Sequence, residues 1–126
     1  MNGFWENAGI AAKSAELLLQ IGDTDGAVNR AYYAMFHAAR STLECINPEL
    51  VVSKRHSTII ARFAQYVVRW RGLDPALGRS FNVTFDQRLI ADYEREKTAE
   101  DDAREIVTDM QKFLRDLQPL NTGLDQ

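Results

Sequence analysis

The sequence predicts an all-α protein, a bundle of five helices, on three observations. Apolar residues recur at helical spacing in five separate segments, no stretch alternates with period two as a half-buried strand would, and the connections are only a few residues long, which favours antiparallel neighbours. The first segment, residues 4–20, repeats Phe4, Ala8, Ala11, Ala15, Leu18 and Leu19 at helical intervals, and Gly22 supplies a stop. Asp23 or Asp25 then offers an N-cap for a long second helix, which runs to about Ile46 before Asn47-Pro48 breaks it. The third is expected to start near Ser53, to present Ile59, Ile60, Phe63, Val67 and Trp70 on one side, and to end at Gly72. Asp74-Pro75 restarts the chain as N-cap and first helical residue. The fourth helix carries Leu77, Phe81, Phe85, Leu89 and Tyr93 in an i, i+4 series that should pack on the second. The fifth begins at Thr98, with Asp101 as its partner in a variant capping box, and continues through Ala103, Ile106, Met110, Phe113, Leu114 and Leu117. Pro119 and Gly123 mark a frayed tail. No internal repeat or domain-scale linker interrupts this order, so residues 1–126 read as one domain with a core from about 4 to 118.

Fifteen basic against eighteen acidic residues give a net charge of -3, which argues against a protein that holds nucleic acid by bulk electrostatics. Charge is nevertheless uneven. Lys54, Arg55, His56, Arg62, Arg69 and Arg71 make the middle positive, whereas residues 92–109 are rich in Asp and Glu, an asymmetry suited to an acidic partner or to self-association. The single Cys45 forms no internal disulfide and reads as a small core residue. No secretory signal pattern opens the chain and no apolar run approaches the ~18 residues of a membrane span, so the expected location is cytoplasmic. Two histidines and one cysteine show no zinc spacing, and no glycine-rich phosphate loop occurs, so neither metal nor cofactor is expected.

Chemistry concentrates in Asn29-Arg-Ala-Tyr-Tyr-Ala-Met-Phe-His-Ala-Ala-Arg40. On a helix, Ala27, Val28, Ala31, Tyr32, Met35, Ala39, Thr42, Leu43 and Ile46 fall on one apolar half. Arg30 and His37 fall on the other, two turns and about 10 Å apart, with Tyr33, Ser41 and Glu44 near them. An imidazole titrates near neutrality and a guanidinium grips phosphate by a bidentate contact. The pair suits metal-free phosphodiester cleavage, in which an RNA 2′-hydroxyl is the nucleophile and Tyr33 stacks on a base or orients the imidazole. The same spacing also fits an ordinary solvated face. Arg88, Asp92 and Tyr93 form a second group: Arg88 and Asp92 project to the side of Leu77 and Phe81, either as an internal ion pair or with Arg88 reaching the Arg30 and His37 stripe. His56 either caps the third helix or contacts a phosphate.

Four segments in this order, Asn29 to Arg40, Lys54-Arg-His-Ser57, Gly72-Leu-Asp-Pro-Ala-Leu-Gly-Arg79 and Arg88-Leu-Ile-Ala-Asp-Tyr93, make the chain resemble the HEPN superfamily, and more narrowly its short stand-alone members. The resemblance implies an up-and-down helical bundle that commonly dimerises and is often encoded beside a minimal nucleotidyltransferase in toxin and antitoxin pairs. Many active members are metal-independent endoribonucleases in which an Arg and a His, four to six residues between them, meet a second copy in one composite cleft. Arg30 and His37, with six residues between, match that pattern. Active members often place Asn, Asp or His directly after the arginine, where Ala31 stands here; Ala38 and Ala39 occupy the places after His37 where a related branch carries a modified tyrosine. The resemblance thus implies Arg30 and His37 as catalytic residues, and the chemistry of the residues themselves adds Tyr33, His56, Arg88, Asp92 and Tyr93 as substrate-binding or supporting groups. It implies as the other reading a non-catalytic substrate-binding or adaptor partner of the nucleotidyltransferase.

Overall fold

Five α-helices follow one another, with no strand among the described residues: α1 (Gly3–Gln20), α2 (Thr24–Ile46), α3 (His56–Arg62), α4 (Pro75–Tyr93) and α5 (Glu100–Thr122). This computed structural model describes residues 3–93 and 97–122, without the side chains of 92 and 93. The expected all-α, five-helix architecture is the one observed. A 3-10 turn, Pro48–Val51, follows α2, and α3 runs on as a π-helical stretch, Phe63–Arg69.

Local chemistry sets the ends. Gly22, at φ +84°, closes α1 as a left-handed C′ residue, and the Asp23 amide returns to Leu18 O at 2.9 Å. Asp23 then caps α2 by accepting from the Gly26 amide at 2.9 Å. Gly72, at φ +70°, ends the third segment in the same way, with Leu73 N bonded to Val68 O. Asp74 Oδ1 accepts from Ala76 N at 2.9 Å, the cap expected ahead of Pro75.

α2 is the axle of the bundle and touches every other element. It packs most extensively on α1, and both helices are rich in buried alanine: Ala8, Ala11, Ala12 and Ala15 on α1, and Ala27, Ala31, Ala34 and Ala38 on α2. On another side the aromatic rings of Phe63, Phe81 and Phe113 meet at 5.0 to 5.6 Å, joining the third, fourth and fifth segments. No helix among the described residues is long and apolar enough to cross a membrane.

The structure corrects several expectations. Ser41 does not belong to the polar stripe: it is fully buried and donates to Asn121 Oδ1. The cause is the central place of α2, which buries far more than half its circumference and, between Arg30 and Glu44, leaves open only Arg30, Tyr33, His37, Arg40 and Glu44. Cys45 is exposed instead of packed in the core. Trp70 is 62% exposed, not aligned with Phe63 and Val67, because i→i+5 winding takes more residues per turn and seven residues no longer make two full turns. The third helix starts at His56, three residues later than expected, after Ser53 Oγ has accepted from the Arg55 amide. α5 begins at Glu100, and the Thr98 amide donates to Asp25 Oδ1 at 2.9 Å, tying the start of α5 to α2, while Asp101 pairs with Arg104. Nor does the chain fray at Pro119: α5 continues to Thr122, held by buried Asn121, whose amide donates to Thr42 Oγ1 at 2.9 Å and to Leu117 O at 2.8 Å. Gly123 lies outside the described residues.

Candidate functional site

The open strip of α2 carries Arg30, Tyr33, His37 and Arg40, spaced so that successive turns stack them along one face. Helix α4 crosses beside it. Its inward line through Leu77, Phe81 and Thr84 continues to Arg88, whose guanidinium lies 5.0 Å from the Tyr32 ring and 5.6 Å from the Tyr33 ring. The Arg30 guanidinium lies 5.1 Å from the same Tyr33 ring. Arg88 therefore reaches the stripe, as one of its two sequence readings held. The ion pair with Asp92 and the place of Tyr93 lie outside the described side chains.

His56 joins from the start of α3. The N-cap of that helix is Arg55, which makes no side-chain cap bond, and the His56 ring turns inward instead of capping. It stacks on Phe36 at 4.3 Å between centroids, and its Nδ1 lies 2.7 Å from the Tyr32 hydroxyl. Phe36 and Tyr33 lie 6.0 and 6.1 Å from His37, so one aromatic cluster carries both imidazoles. Arg40, which the sequence reading placed only at the end of a motif, completes the strip: its guanidinium covers Phe4 of α1 at 4.0 Å and Phe36 at 5.4 Å. Its i+3 spacing from His37 was the available signal. Phe36 gave no such signal, since only the position of α3 reveals its role as a platform.

The electrostatics are one-sided. Arg30 Nε, His37 Nδ1 and Arg40 Nε are enclosed, yet none is hydrogen-bonded within the described chain. Burial lowers the His37 pKa, and the charges of Arg40 and Arg30 lower it further; burial does the same to His56, aided by Arg88 and Arg40. Both rings are therefore neutral at pH 7 and able to accept a proton. Glu44 is the carboxylate that acts on Arg40. Such a surface can take up an anion, lend it charged donors and move a proton next to it. Ala31, directly after Arg30, is fully buried in the core, so this position contributes packing and no polar group. Among the described residues no three His, Cys, Asp or Glu side chains gather as a metal ion would need.

An arginine and a histidine two turns apart on the central helix of a five-helix bundle define a class, and the chain belongs to the HEPN domain family, which it matches over residues 1–120. A Methanocaldococcus jannaschii protein named "Putative toxin MJ0605" is 33% identical over 90 residues, covering 70% of this chain and 63% of its own length. "Putative toxin MJ0142" of the same organism is 32% identical over 91 residues, 71% of this chain and 58% of that one. A Thermotoga maritima protein named "UPF0332 protein" is 31% identical over 107 residues, covering 84% and 79%. The chain thus spans less than two thirds of the M. jannaschii relatives it matches.

Proposed function

We propose that this HEPN protein is a toxin-type, metal-independent endoribonuclease whose site is the open strip of α2. The observation that carries the reading is the strip itself, where Arg30, Tyr33, His37 and Arg40 stack along the open face of α2 beside Arg88, with a neutral imidazole between the guanidiniums. A phosphodiester is an anion that such guanidiniums grip. His37 accepts the proton of the ribose 2′-hydroxyl, the 2′-oxygen attacks phosphorus, and the guanidiniums of Arg30 and Arg40 hold the charge that develops on the non-bridging oxygens. The P–O5′ bond breaks, and the leaving oxygen takes the proton that the His37 imidazole has just accepted, giving a 2′,3′-cyclic phosphate and restoring the neutral ring. Two relatives bearing the word toxin in their names support the toxin reading, and the resemblance to the family's composite clefts makes a homodimer part of it. A minimal nucleotidyltransferase is the partner proposed to restrain it.

The second reading is a non-catalytic adaptor or substrate-binding partner of that nucleotidyltransferase, and the buried Ala31 favours it by leaving no third polar group on that turn. RNA cleavage in EDTA by wild type, Arg30→Ala and His37→Ala separates the two. The ribonuclease reading expects cyclic-phosphate ends and a loss of about 10²-fold or more in each variant at unchanged helix content. A folded wild type that cleaves none of a varied RNA panel moves the conclusion to the adaptor.

A further inference from the structure

His56 is held more firmly than a surface histidine needs to be. Phe36 stacks on it at 4.3 Å and 22°, Tyr32 at 5.6 Å and 20°, and Tyr33 meets it edge-on at 6.0 Å. The Tyr32 phenol is fully buried, and burial pushes its pKa up against the opposing pull of Arg88, so it keeps its proton. A buried O–H needs an acceptor, and His56 Nδ1, at 2.7 Å, is its hydrogen-bond partner among the described residues. The opposite tautomer, with the proton on Nδ1, would turn the phenol into an acceptor and leave its own proton unmet. Tyr32 therefore donates to Nδ1, which places the proton of the neutral ring on Nε2. Nε2 is neither enclosed without a partner nor hydrogen-bonded to any described residue, so that N–H is open to a ligand. The positive charges of Arg88 and Arg40 act on this ring, a field that favours an anionic ligand for its N–H.

We propose that His56 is a second substrate-contacting residue of the α2 site: a neutral Nε2–H donor, fixed in that tautomer by Tyr32, that holds a phosphodiester oxygen of RNA beside His37. The proposal rests on the ribonuclease reading for its substrate class and adds a role that involves no proton transfer. A residue that only donates a hydrogen bond is replaceable by glutamine, whose amide nitrogen reaches about as far; a residue that transfers a proton is not.

The test combines imidazole 15N NMR with binding of a 2′-O-methyl RNA oligonucleotide, which cannot be cleaved through its 2′-oxygen. The wild type is expected to show the Nε2–H tautomer at His56, and the oligonucleotide should shift that N–H. His56→Ala should bind about tenfold more weakly, as loss of a hydrogen bond to a charged group implies, whereas His56→Gln stays within about threefold of wild type. Tyr32→Phe should leave the ring a mixture of tautomers. A proton on Nδ1 in the wild type, or equal binding by the Ala and Gln variants, overturns the proposal. RNA cleavage without any response at His56 overturns it and leaves the ribonuclease reading standing. Binding with the His56 response but no cleavage upholds it and overturns that reading; neither binding nor cleavage overturns both.

Discussion

At neutral pH His37 is uncharged because the bundle takes it partly out of water and its own helix brings the guanidiniums of Arg40 and Arg30 to bear on it. The proton it must accept in the first step therefore competes with bulk protons only at lower pH. The acidic limb of kcat/KM for RNA cleavage is expected below pH 6.5, and Arg40→Gln, which removes the larger of the two charge effects on the ring, should move that limb upward; a pH–rate series on both proteins measures it. The same depression acts on stability. Above about pH 6.5 the two histidines are neutral in both folded and unfolded chains and contribute no pH dependence. As pH falls below that value the unfolded chain binds protons that the folded chain resists, so stability declines until the folded pKa values are passed. Urea titrations between pH 7 and 5 should show this decline, and His56→Gln should make it shallower.

Among the elements, the last turn of α5 is the one whose sequence argues against helix, since Pro119 has no N–H for the carbonyl of Arg115 and its ring crowds that turn. Asn121 holds the turn in place through Ser41, Thr42 and the carbonyl of Leu117. Asn121→Ala leaves buried hydroxyls short of partners, and denaturant unfolding should register a loss of about 1–3 kcal/mol. The third segment gives a second check. Gly72 at φ +70° ends it in a conformation that costs an L residue roughly 1–2 kcal/mol, so Gly72→Ala should destabilise by about that amount although its Cβ meets nothing within 4 Å.

At the scale of the whole molecule, the strip that one copy leaves uncovered and the family to which the chain belongs lead to one expectation, a site completed by two copies. Arg30→Ala and His37→Ala, each inactive alone, should partly recover cleavage when co-refolded, because mixed dimers then hold one intact guanidinium and one intact imidazole in a shared cleft. No recovery from a mixture shown to be dimeric would confine the site to a single copy. Helix number, order and most caps were legible in the sequence, because 3.6-residue periodicity, Asp caps and Gly stops act over a few residues, as at Asp23, Gly22, Asp74 and Gly72. Arg30, Tyr33 and His37 were legible for the same reason, all lying on one helix. The place of Ser41 in the core, the exposure of Trp70 and the run of α5 past Pro119 were not, because each depends on what packs against the segment or how it winds. His56 and Arg88 belong to the same class: the sequence by itself determined a five-helix bundle with a cationic strip on its second helix. Only the tertiary structure decided that α3 and α4 bring an imidazole and a guanidinium to that strip, since contacts between residues far apart in the chain depend on helix packing and not on local spacing.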